Sequence, residues 1–555
     1  MESIIKTSRD RRSPGILTGV FVASMLTAGL IAVFYFGWAV VGLPFVPFDL
    51  FDALTRVLPG RLIAFGINSM VTVIRALNLG PTSQLAKLAE QAMAIVGFFV
   101  AGVVLGSILF RLIRTRAGHC TWLLGIAFGI LLGVPAVAVS SIAGRTSAWG
   151  LWMNGPWILL SFLGWSLLLA QSANRLAKPG APVDVQPSAI AVPPSVERLD
   201  RRRFLVRLGG STAVITVAGT VVGELAEVHR REAMKVAAAG SVRWSGTHAL
   251  PNAGAAVQPA PGTRREFTPL EGHYRIDINS IPPAVDERTW RLKINGLVEK
   301  PLSLTLDHLR RFEPLHQFIT LSCISNPVGG DLIGTTRWSG VSLQHLFTTL
   351  HLQPTATHLK IRAADDFYEV VSLESIRADP RIMLAYDWDG VPLTREHGFP
   401  LRIYIPDVHG MKQPKWIESI EVTDHWEPGY WVKRGWDKEA RMKSTSVIDT
   451  IGVDMTIVHA DQKRLVPIGG IAHAGARGIS KVEVRMDDGP WQSAALRSPL
   501  SELTWVIWRY DWPFQAGKHT FTVRCFDGSG AQQIETQAPP EPGGASGLHR
   551  KDVML

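Results

Sequence analysis

The pattern of apolar residues divides the chain near residue 225. Before that point, long runs of Leu, Ile, Val, Phe, Gly and Ala alternate with short basic stretches, whereas later residues alternate like those of a soluble protein. Four early runs reach the length of about 20 residues that a bilayer crossing requires. They cover residues 16–46, 91–113, 122–143 and 151–170, and a fifth, weaker run covers 204–222. We therefore predict a helical membrane region followed by a soluble region.

Basic residues beside these runs indicate which side of the membrane each end faces. Clusters of Arg and Lys precede the first run, separate the second from the third, follow the fourth and precede the fifth. Basic loops remain in the cytoplasm, so we predict a cytoplasmic N-terminus and an extracytoplasmic location for everything after the fifth run. Residues 61–79 are apolar but contain Arg61 and Arg75. We interpret them as an amphipathic helix on the outer surface, because a crossing there would invert this topology.

The fifth run begins with a motif that has two interpretations. Arg201, Arg202 and Arg203 stand directly before Phe204 and Leu205. This pattern resembles a twin-arginine export signal, whose receptor reads paired arginines. The alternative is an ordinary span with a basic cytoplasmic flank; the internal position favours that alternative, whereas the match to the motif favours the signal, which we prefer. Both place the downstream domain outside, and we predict a retained anchor because no cleavage site is evident.

Charge and cysteine content argue against several functional classes. The formal net charge is +10, yet no basic stretch is interleaved with aromatic residues, so we do not expect nucleic-acid binding. The three cysteines, Cys120, Cys323 and Cys525, cannot build a disulfide framework, and their spacing does not fit zinc ribbons, iron–sulfur clusters or c-type haem. None of the predicted spans contains a histidine. A haem b held by two histidines of this chain is therefore not expected.

One cysteine stands at the end of a predicted strand. Residues 317–323 alternate as a strand, and Cys323 is followed by a loop that contains Pro327, Gly329 and Gly330. A strand that ends in such a loop presents its last side chain at a rim, where a ligand can approach the backbone closely. From the residues alone, a cysteine in an apolar strand is more often a small core residue. Both interpretations stay open on this evidence.

Five stretches of the soluble half resemble a known family. They are HYRID at residues 273–277, WRLKINGLVEKP at 290–301, TLSCISN at 320–326, RWSGVSL at 337–343 and HGFPLRIYIPDVHGMKQPKW at 397–416. In this order they resemble the sulfite oxidase family of molybdenum enzymes. Each stretch alone is modest, whereas the series is specific. The resemblance covers residues from about 271 to the C-terminus, roughly half of the chain.

The resemblance implies a molybdenum–molybdopterin cofactor whose dithiolene holds the metal together with a cysteine thiolate. Cys323 matches that cysteine, and a soft thiolate suits such a metal. Arg275 matches an arginine beside the substrate pocket, and an arginine on the surface of a strand is an equal alternative. Residues that match contacts to the pterin and its phosphate are His397, Arg402, Lys412, Gln413 and Lys415. For Lys412 a solvated surface charge is an equal alternative, and we expect Asp365 and Asp366 to form a turn rather than to approach the pterin.

The chain also departs from the family. Sulfite oxidases carry an arginine pair soon after the ligand cysteine, whereas no arginine follows Cys323 before Arg337. Trp436 aligns where a tyrosine near the metal is expected. An anionic substrate needs fixed positive groups, so these departures put sulfite itself in doubt, although Arg434 is a candidate to supply one. The substrate is left open among sulfite, sulfoxides, protein sulfoxides and other small oxyanions.

The C-terminal part is predicted to be all-β. Val482, Val484 and Met486 alternate with charged residues before a turn. Phe521, Val523 and Cys525 share one face, which makes Cys525 a core residue. The resemblance implies the immunoglobulin-like sandwich that follows the molybdenum domain. In the family this domain often supports dimers, which makes a homodimer an option that the sequence leaves open.

The predicted fold class is therefore multi-domain: an α-helical transmembrane region, an α+β molybdopterin domain of the sulfite oxidase type, and an all-β immunoglobulin-like sandwich. The boundaries that we predict are 1–170 for four spans, 171–200 for a Pro/Ala-rich cytoplasmic linker, 201–225 for the twin-arginine-like span, 226–265 for an extracytoplasmic linker, 266–440 for the catalytic domain, 441–540 for the sandwich and 541–555 for a flexible tail.

We expect a membrane-anchored oxidoreductase in the cytoplasmic membrane, with its catalytic domain on the extracytoplasmic side. Molybdenum chemistry of this kind moves two electrons, so a quinone-linked or cytochrome partner is expected. The alternative from another class is a non-catalytic membrane-anchored binding or assembly protein that retains the fold. The residues Cys323 and Arg402 argue against that alternative. A transporter with a soluble appendage is a weaker alternative, because the spans lack acidic residues.

Overall fold

The computed structural model describes residues 16–77, 80–115, 121–143, 147, 149–177, 195–239, 242–452, 457–458 and 464–555. The N-terminal basic cluster, Cys120 and most of the predicted Pro-rich linker lie outside these residues. The chain divides into two compact units, one of residues 1–57 with 88–236 and one of residues 58–87 with 237–555.

The first unit is helical because its sequence is apolar almost throughout. Its helices are α1 (Ile16–Phe36), α2 (Val46–Val57), α4 (Thr82–Thr115, from residue 88 onward), α5 (Thr121–Ala143), α6 (Leu151–Ala177) and α7 (Ser195–Ala239). A short π-helix, Gly37–Val41, extends α1. Helices α5 and α6 approach closely at Gly133, where a Cβ atom would lie 2.9 Å from Leu159 Cδ1. Small residues permit such close packing between apolar helices.

Five helices in the described part of the chain are long and apolar enough to cross a membrane. They are Ile16–Val41, Thr82–Arg114, Thr121–Ile142, Leu151–Leu176 and Arg203–Ala226. The predicted boundaries need correction on either side of the linker, because α6 continues to Ala177 and α7 begins at Ser195. The five prolines of this stretch all lie between residues 179 and 194, so nothing interrupts the helices beside it. The predicted linker 226–265 likewise begins as helix, since α7 ends only at Ala239.

The second unit begins with α3 (Gly60–Ala76) and the first turn of α4. After residue 237 it contains the short helices α8 (Trp244–Thr247), α9 (Leu306–Arg310), α10 (Leu343–Thr348) and α11 (Leu373–Ala378). Single 3-10 turns lie at Leu270–Gly272, Arg395–His397, Gly410–Lys412 and Val432–Arg434. The rest of this unit is built on β-sheets.

Two sheets form the α+β region. The first runs in the order β2 (Leu302–Leu304), β1 (Leu292–Gly296), β10 (Ile417–Thr423), β5 (His358–Ala363) and β6 (Tyr368–Ser372). The second runs in the order β3 (Leu315–Ser322), β4 (Ile333–Ser342), β7 (Met383–Trp388) and β8 (Val391–Pro392), with β9 (Arg402–Tyr404) paired to β7. A core of Leu, Ile and Val side chains such as Leu292, Ile361 and Ile420 holds the first sheet against the helices. Trp338 and Trp388 are buried side by side on the second sheet.

Two antiparallel sheets form the C-terminal β-rich region. One runs in the order β11 (Thr445–Ile451), β13 (Arg464–His473), β17 (Val506–Pro513) and β16 (Ala495–Leu496), with β12 (Ile457–Val458) on β13. The other runs in the order β15 (Gln492–Ser493), β14 (Ile479–Met486), β18 (Lys518–Asp527) and β19 (His549–Met554). Side chains from both sheets, Cys525 among them, share one core. The prediction that Cys525 is a core residue is therefore confirmed.

The prediction of a flexible tail over residues 541–555 is wrong. Residues His549–Met554 form a strand that pairs with β18, and Leu555 and Gly517 exchange backbone hydrogen bonds. Val553 and Leu555 pack against the shared core of the two sheets. These two apolar positions, two residues apart, place one face of the tail on the core of the two sheets and fix it as an edge strand.

Candidate active site

Cys323 is the first residue after strand β3, and the loop that follows holds it in place. Its side chain is only 7% exposed, it forms no disulfide, and its Sγ lies 2.9 Å from the hydroxyl oxygen of Ser325. The backbone N–H of Cys323 donates to the carbonyl oxygen of Leu332 at 3.0 Å, which closes the loop. Burial raises the pKa of the Cys323 thiol, although the hydrogen bond with Ser325 lowers it in part. A bound metal ion would reverse this, because coordination deprotonates a thiol outright.

Arg402 on strand β9 lies among aromatic side chains. Its guanidinium carbon is 4.8 Å from the ring centroid of Trp338, and its Nη1 donates to the carbonyl oxygen of His397 at 3.2 Å. The ring of His397 lies 4.4 Å from that of Trp388 and 5.6 Å from that of His273. Arg402 forms no ion pair with any carboxylate in the described part of the chain. Two of the predicted cofactor residues, His397 and Arg402, are therefore in direct contact.

A buried carboxylate organises the second group of cations. Asp277 pairs with Arg275 at 2.7 Å, with Lys87 at 3.2 Å and with Lys415 at 3.4 Å. Lys415 Nζ also donates to the carbonyl oxygen of Glu396 at 3.1 Å and lies 4.3 Å from the ring centroid of Trp416. Burial alone would raise the pKa of Asp277, but these three cations hold it well below its ordinary value. Asp277 is therefore ionised and fixes the positions of Arg275 and Lys415.

The two groups of cations meet at Gly398. This residue has φ +108°, and a Cβ atom on it would lie 3.1 Å from Lys415 Cβ and 3.2 Å from Arg402 Cβ. Glycine is required because other residues rarely adopt such a φ value. Arg402 and Lys415 are thus neighbours, one held by aromatic rings and the other by Asp277. We refer to Arg402, Lys415 and their partners His397, His273 and Asp277 as the cation pocket.

Tyr274 connects the cation pocket to the region of Cys323. A Cβ atom on Gly410 would lie 3.2 Å from the Tyr274 hydroxyl oxygen and 3.6 Å from the carbonyl oxygen of Ser322, the residue before the cysteine. Burial raises the pKa of Tyr274, the neighbouring Cys323 raises it further, and Arg402 opposes both. The tyrosine is therefore a neutral hydrogen-bonding group that lies between the thiol and the arginine.

Charge in the cation pocket is poorly balanced. Burial lowers the pKa of Arg402 to about 10 and also lowers the pKa of Lys415, which means that the surroundings disfavour both positive charges. Burial lowers the pKa of His273 to about 3, so this imidazole is neutral at ordinary pH. Burial raises the pKa of the nearby carboxyl of Asp365. An anion that bound here would relieve the repulsion between the cations.

Lys412 and Gln413 bind partners outside the cation pocket. Lys412 forms a 2.7 Å ion pair with Glu369, and both side chains are buried. Gln413 Nε2 donates to the carbonyl oxygens of Val408 at 3.0 Å and of Ile405 at 3.3 Å. These two residues therefore brace the loop that follows β9. Asp365 accepts a hydrogen bond from the N–H of Phe367 and Asp366 has φ +65°, as expected of the predicted turn.

The residues singled out as departures from the family lie in different places. Trp436 is buried against Ile324, which directly follows Cys323, and against Met411. Its indole N–H has no hydrogen-bond partner among the described residues. Arg434 instead stacks on Tyr430, 3.6 Å from the ring centroid, and Arg337 lies over Trp244. Of these three residues, the structure brings Trp436 against the cysteine loop.

Several buried polar atoms around the candidate site lack a partner in the described part of the chain. They are His273 Nε2, Trp338 Nε1, Trp388 Nε1 and Gln413 Oε1. Buried polar atoms in native proteins almost always form hydrogen bonds, so a cluster of unpartnered ones indicates a ligand. A pterin offers ring donors and acceptors for such atoms, and its phosphate suits Arg402 and Lys415. The residues present therefore fit a molybdopterin cofactor.

Sequence reasoning missed some of these residues. Tyr274 and Asp277 lie in the HYRID stretch that was singled out only for Arg275, and Trp338 lies in the RWSGVSL stretch. An Arg and an Asp two positions apart on one extended segment is a signal for the pair Arg275–Asp277. No sequence pattern indicates Lys87, because it lies outside all five stretches.

Comparisons with known proteins agree on one family. Residues 279–431 match the family model described as the oxidoreductase molybdopterin binding domain. The chain is 28% identical over 308 residues to mitochondrial sulfite oxidase of Macaca fascicularis, a match that covers 47% of this chain and 56% of that protein. It is 29% identical over 187 residues to the putative protein-methionine-sulfoxide reductase subunit YedZ1 of Azospira oryzae, covering 34% of this chain and 68% of that one. The chain therefore spans little more than half the length of the sulfite oxidase.

One solved structure is also similar. The sulfane dehydrogenase SoxCD from Paracoccus pantotrophus superposes with a TM-score of 0.46 at 21% sequence identity, over 54% of this chain and 86% of that one. Nitrate reductase of Hordeum vulgare is 28% identical over 285 residues, which cover 42% of this chain and 32% of that protein. These relatives carry different names for their reactions.

Proposed function

Because this chain belongs to the sulfite oxidase family of molybdopterin-dependent oxidoreductases, whose cofactor is molybdenum–molybdopterin, we propose that it is a membrane-anchored enzyme of two-electron, oxo-transfer-type chemistry. Cys323 is the proposed protein ligand to the metal. The proposed substrates are sulfite, a sulfoxide or another small oxyanion. The catalytic domain is proposed to lie on the extracytoplasmic side of the cytoplasmic membrane.

One observation carries this proposal: a buried free thiol lies close to buried cations that lack enough carboxylates. Cys323 has no disulfide partner and is 7% exposed. Arg402 is buried without an ion pair in the described residues, and a buried charge is costly unless something compensates it. A structural core would not retain both features, whereas a metal thiolate and a cofactor phosphate account for both. The unpartnered nitrogens of His273, Trp338 and Trp388 support the same conclusion.

Each residue then has a distinct proposed task. When bound, the cofactor supplies two-electron redox chemistry and exchange of an oxygen atom. Cys323 holds the metal as thiolate, while Arg402 and Lys415 bind the phosphate, Arg402 through its planar fork of donors. The neutral imidazoles of His273 and His397 and the indole of Trp388 hydrogen-bond or stack on the pterin. Tyr274 stays protonated between these two parts and can donate its hydroxyl hydrogen to either.

Three further residues take supporting tasks. Arg275 remains the candidate beside the substrate pocket, and its ion pair with Asp277 ties it to Lys415. We therefore propose that Arg275 is fixed by Asp277 and orients an anionic group from there. Lys412 and Gln413 act on the cofactor through the loop that they brace, because Lys412 already neutralises the buried Glu369.

The apolar helices give the protein its proposed location. Among the described residues, five helices are long and apolar enough to span a membrane, and the basic flanks predict that the N-terminus is cytoplasmic. The motif before Phe204 is proposed as a twin-arginine-like signal that stays as an anchor. The two C-terminal sheets are proposed to form an immunoglobulin-like sandwich that is able to support a homodimer. A quinone-linked or cytochrome partner is proposed to exchange the electrons.

The proposal is tested by cofactor content. The full chain is purified in detergent from cells grown with molybdate, and molybdenum and pterin per chain are measured. The matched control for a Cys323→Ser variant is Cys525→Ser, since Cys525 is also buried and free but lies in the core of the C-terminal sheets. We expect about one metal and one pterin per chain in the wild type and in Cys525→Ser, and turnover of sulfite, a sulfoxide or nitrate that only Cys323→Ser loses. Folded wild-type protein without either component would refute the proposal and leave a non-catalytic binding or assembly protein.

A further inference from the structure

The segment of residues 58–87 lies between the first two apolar runs in the sequence, yet it belongs to the same compact unit as residues 237–555. This segment contains helix α3 and the first turn of α4. Nothing in the family stretches covers it. Its contacts with the α+β region are specific at both of its ends, which makes it more than a connection between two membrane helices.

The first end of the segment packs against the 3-10 turn Val432–Arg434. A Cβ atom on Gly60 would collide with the backbone carbonyl oxygen of Arg434. The other end is held by the cysteine loop. The backbone N–H of Thr82, at the start of α4, donates to the carboxylate of Asp331 at 2.7 Å. A carboxylate at a helix N-terminus satisfies a free N–H group and is favoured by the helix dipole.

Lys87 makes the deepest contact of the segment. Its Nζ donates to the carbonyl oxygens of Asp277 and Asn279, both at 2.9 Å, and lies 3.2 Å from the Asp277 carboxylate. The two carbonyl oxygens take up two of the three N–H donors of the ammonium group, and the carboxylate compensates its charge. The side chain is 9% exposed. Burying an ammonium group costs desolvation free energy unless fixed partners compensate its charge. The contact between Lys87 and the stretch around Asp277 is therefore specific.

Asp277 transmits this contact to the cation pocket. It is the carboxylate that also holds Arg275 and Lys415. With Lys87 in place, Asp277 shares its negative charge among three cations, and the backbone carbonyl oxygens of Asp277 and Asn279 each accept one hydrogen bond from the lysine. Without Lys87, Asp277 and Asn279 would each lose a hydrogen bond, and the Asp277 carboxylate would shift toward Arg275. The ammonium group of Lys415 would then lose its fixed position beside Arg402.

We propose that Lys87 is a positioning residue of the cofactor pocket, supplied by a segment that stays on the side of the membrane where the catalytic domain lies. The role toward the cofactor rests on the proposed function. The location of the segment does not, because it follows from contacts at the first residue of α3 and at the first residue of α4. A helix that crosses a bilayer has its ends on opposite sides, whereas Gly60 and Thr82 contact one soluble unit. Helix α3 therefore does not cross.

The number of candidate spans agrees with this location. Four of them, Thr82–Arg114, Thr121–Ile142, Leu151–Leu176 and Arg203–Ala226, follow α3 and precede the catalytic domain. An even number of crossings returns the chain to the side from which it started. Residues 58–81 and residues from 242 onward are then on one side, and the N-terminus is on the other. The basic flanks of the runs independently make that second side the cytoplasm.

The positioning role is tested in the full-length protein by a double-mutant cycle. Molybdenum and pterin retained after extended dialysis are measured for Lys87→Met, Asp277→Asn and the double variant, with Lys300→Met as the exposed-lysine control. We expect Lys87→Met to lose cofactor roughly tenfold faster, Lys300→Met to match the wild type, and the double variant to be no worse than Asp277→Asn. Additive losses would mean that Lys87 does not act through Asp277 and would overturn the role. If Lys87→Met does not fold, Lys87→Arg replaces it in the cycle.

A second readout separates this role from the proposed function. Wild-type protein that holds no molybdopterin would overturn both the proposed function and the positioning role of Lys87. A Lys87→Met variant that holds molybdopterin as firmly as the wild type would overturn only the positioning role. The sulfur-to-metal absorption of the cofactor that remains in Lys87→Met should match the wild type, since Lys87 acts on Asp277 and not on Cys323. An altered spectrum would contradict the assignment of Lys87 to the phosphate side.

The location of the segment is tested by labelling. Cysteines are introduced singly at the exposed residues Pro59 and Gln84, and intact spheroplasts are treated with a membrane-impermeant maleimide. Native Cys120 is the internal control, because the sequence predicts a cytoplasmic location for it. We expect labelling at both introduced positions in intact cells and at Cys120 only after permeabilisation. Labelling of one introduced position without the other would show that α3 crosses the membrane and would overturn the inference.

Discussion

The guanidinium of Arg402 lies over the indole ring of Trp338, 4.8 Å from the ring centroid, and no carboxylate of the described residues pairs with it. Its hydrogen bond to the carbonyl oxygen of His397 uses one of its five N–H donors. A buried arginine with most of its donors unused is a poor structural element and a good anion site. This relationship explains why the charge is retained in the interior.

Replacement of Arg402 by Met should separate folding from cofactor binding. Removing an uncompensated buried charge should cost the cofactor-free protein no more than about 1 kcal/mol of unfolding free energy. Cofactor content should fall roughly tenfold, because the phosphate loses its bidentate partner. Thermal unfolding and pterin analysis measure the two effects, with Arg377→Met as the exposed-arginine control. A loss of about 3 kcal/mol or more in the cofactor-free protein would mean that Arg402 is structural.

The buried pair Lys412–Glu369 should matter for stability and not for cofactor content, the opposite of Arg402. Lys412→Met leaves Glu369 buried and unpaired, which should cost about 3 kcal/mol or more of unfolding free energy. The double variant Lys412→Met/Glu369→Leu should recover most of that loss and should retain normal cofactor content. Denaturant titration and pterin analysis test both points. Loss of cofactor in a stable double variant would restore to Lys412 the phosphate contact expected from the sequence.

Stability should depend on pH through buried histidines. Burial lowers the pKa of His473 to about 3, whereas an unfolded histidine titrates near 6.5. Between these values only the unfolded state binds the proton, so stability falls as pH falls. His473→Phe should reduce the slope of unfolding free energy against pH by about 1.4 kcal/mol per pH unit in this window. Exposed His351→Phe serves as control, and an unchanged slope in His473→Phe would contradict a neutral buried imidazole.

Trp436 offers a prediction about turnover. Its buried indole N–H lacks a partner among the described residues, and it packs on Ile324 beside the cysteine. If this N–H donates to the reacting group, Trp436→Phe should lower turnover on the order of tenfold to a hundredfold at unchanged molybdenum content. Trp505→Phe is the matched control, because that buried indole N–H is also unpartnered but lies in the C-terminal region. Equal turnover in both variants would assign Trp436 a packing role.

Some of this site was predictable from the sequence, and the reasons differ from residue to residue. The strand that ends before Cys323 shows in its alternation, and the resemblance to the family identified Cys323, His397 and Arg402 as candidates. The partner of Lys412 was not predictable, because Lys412 lies in a 3-10 turn and Glu369 is 43 residues away on strand β6. The role of Lys87 was not predictable either, because a contact between residues 87 and 277 depends on tertiary packing alone.

In the membrane region, too, the sequence predicted some features and not others. Apolar runs located the candidate spans well, because length and hydropathy decide whether a helix can cross. They left residues 61–79 ambiguous, since an amphipathic helix and a weak span have similar composition. The tail was misjudged because it forms a strand only when the edge of β18 is available to pair with it, which brings Val553 and Leu555 onto the core of the two sheets.

The central claim is that the Cys323 thiolate binds the metal, and X-ray absorption at the molybdenum edge tests it most directly. Full-length wild type, Cys323→Ser and Cys525→Ser are compared after normalisation to molybdenum content. The account predicts one sulfur ligand fewer in Cys323→Ser than in the other two proteins, with the pterin still bound. An identical sulfur count in all three proteins would contradict it, and Cys323 would then be a buried residue of the loop rather than a ligand.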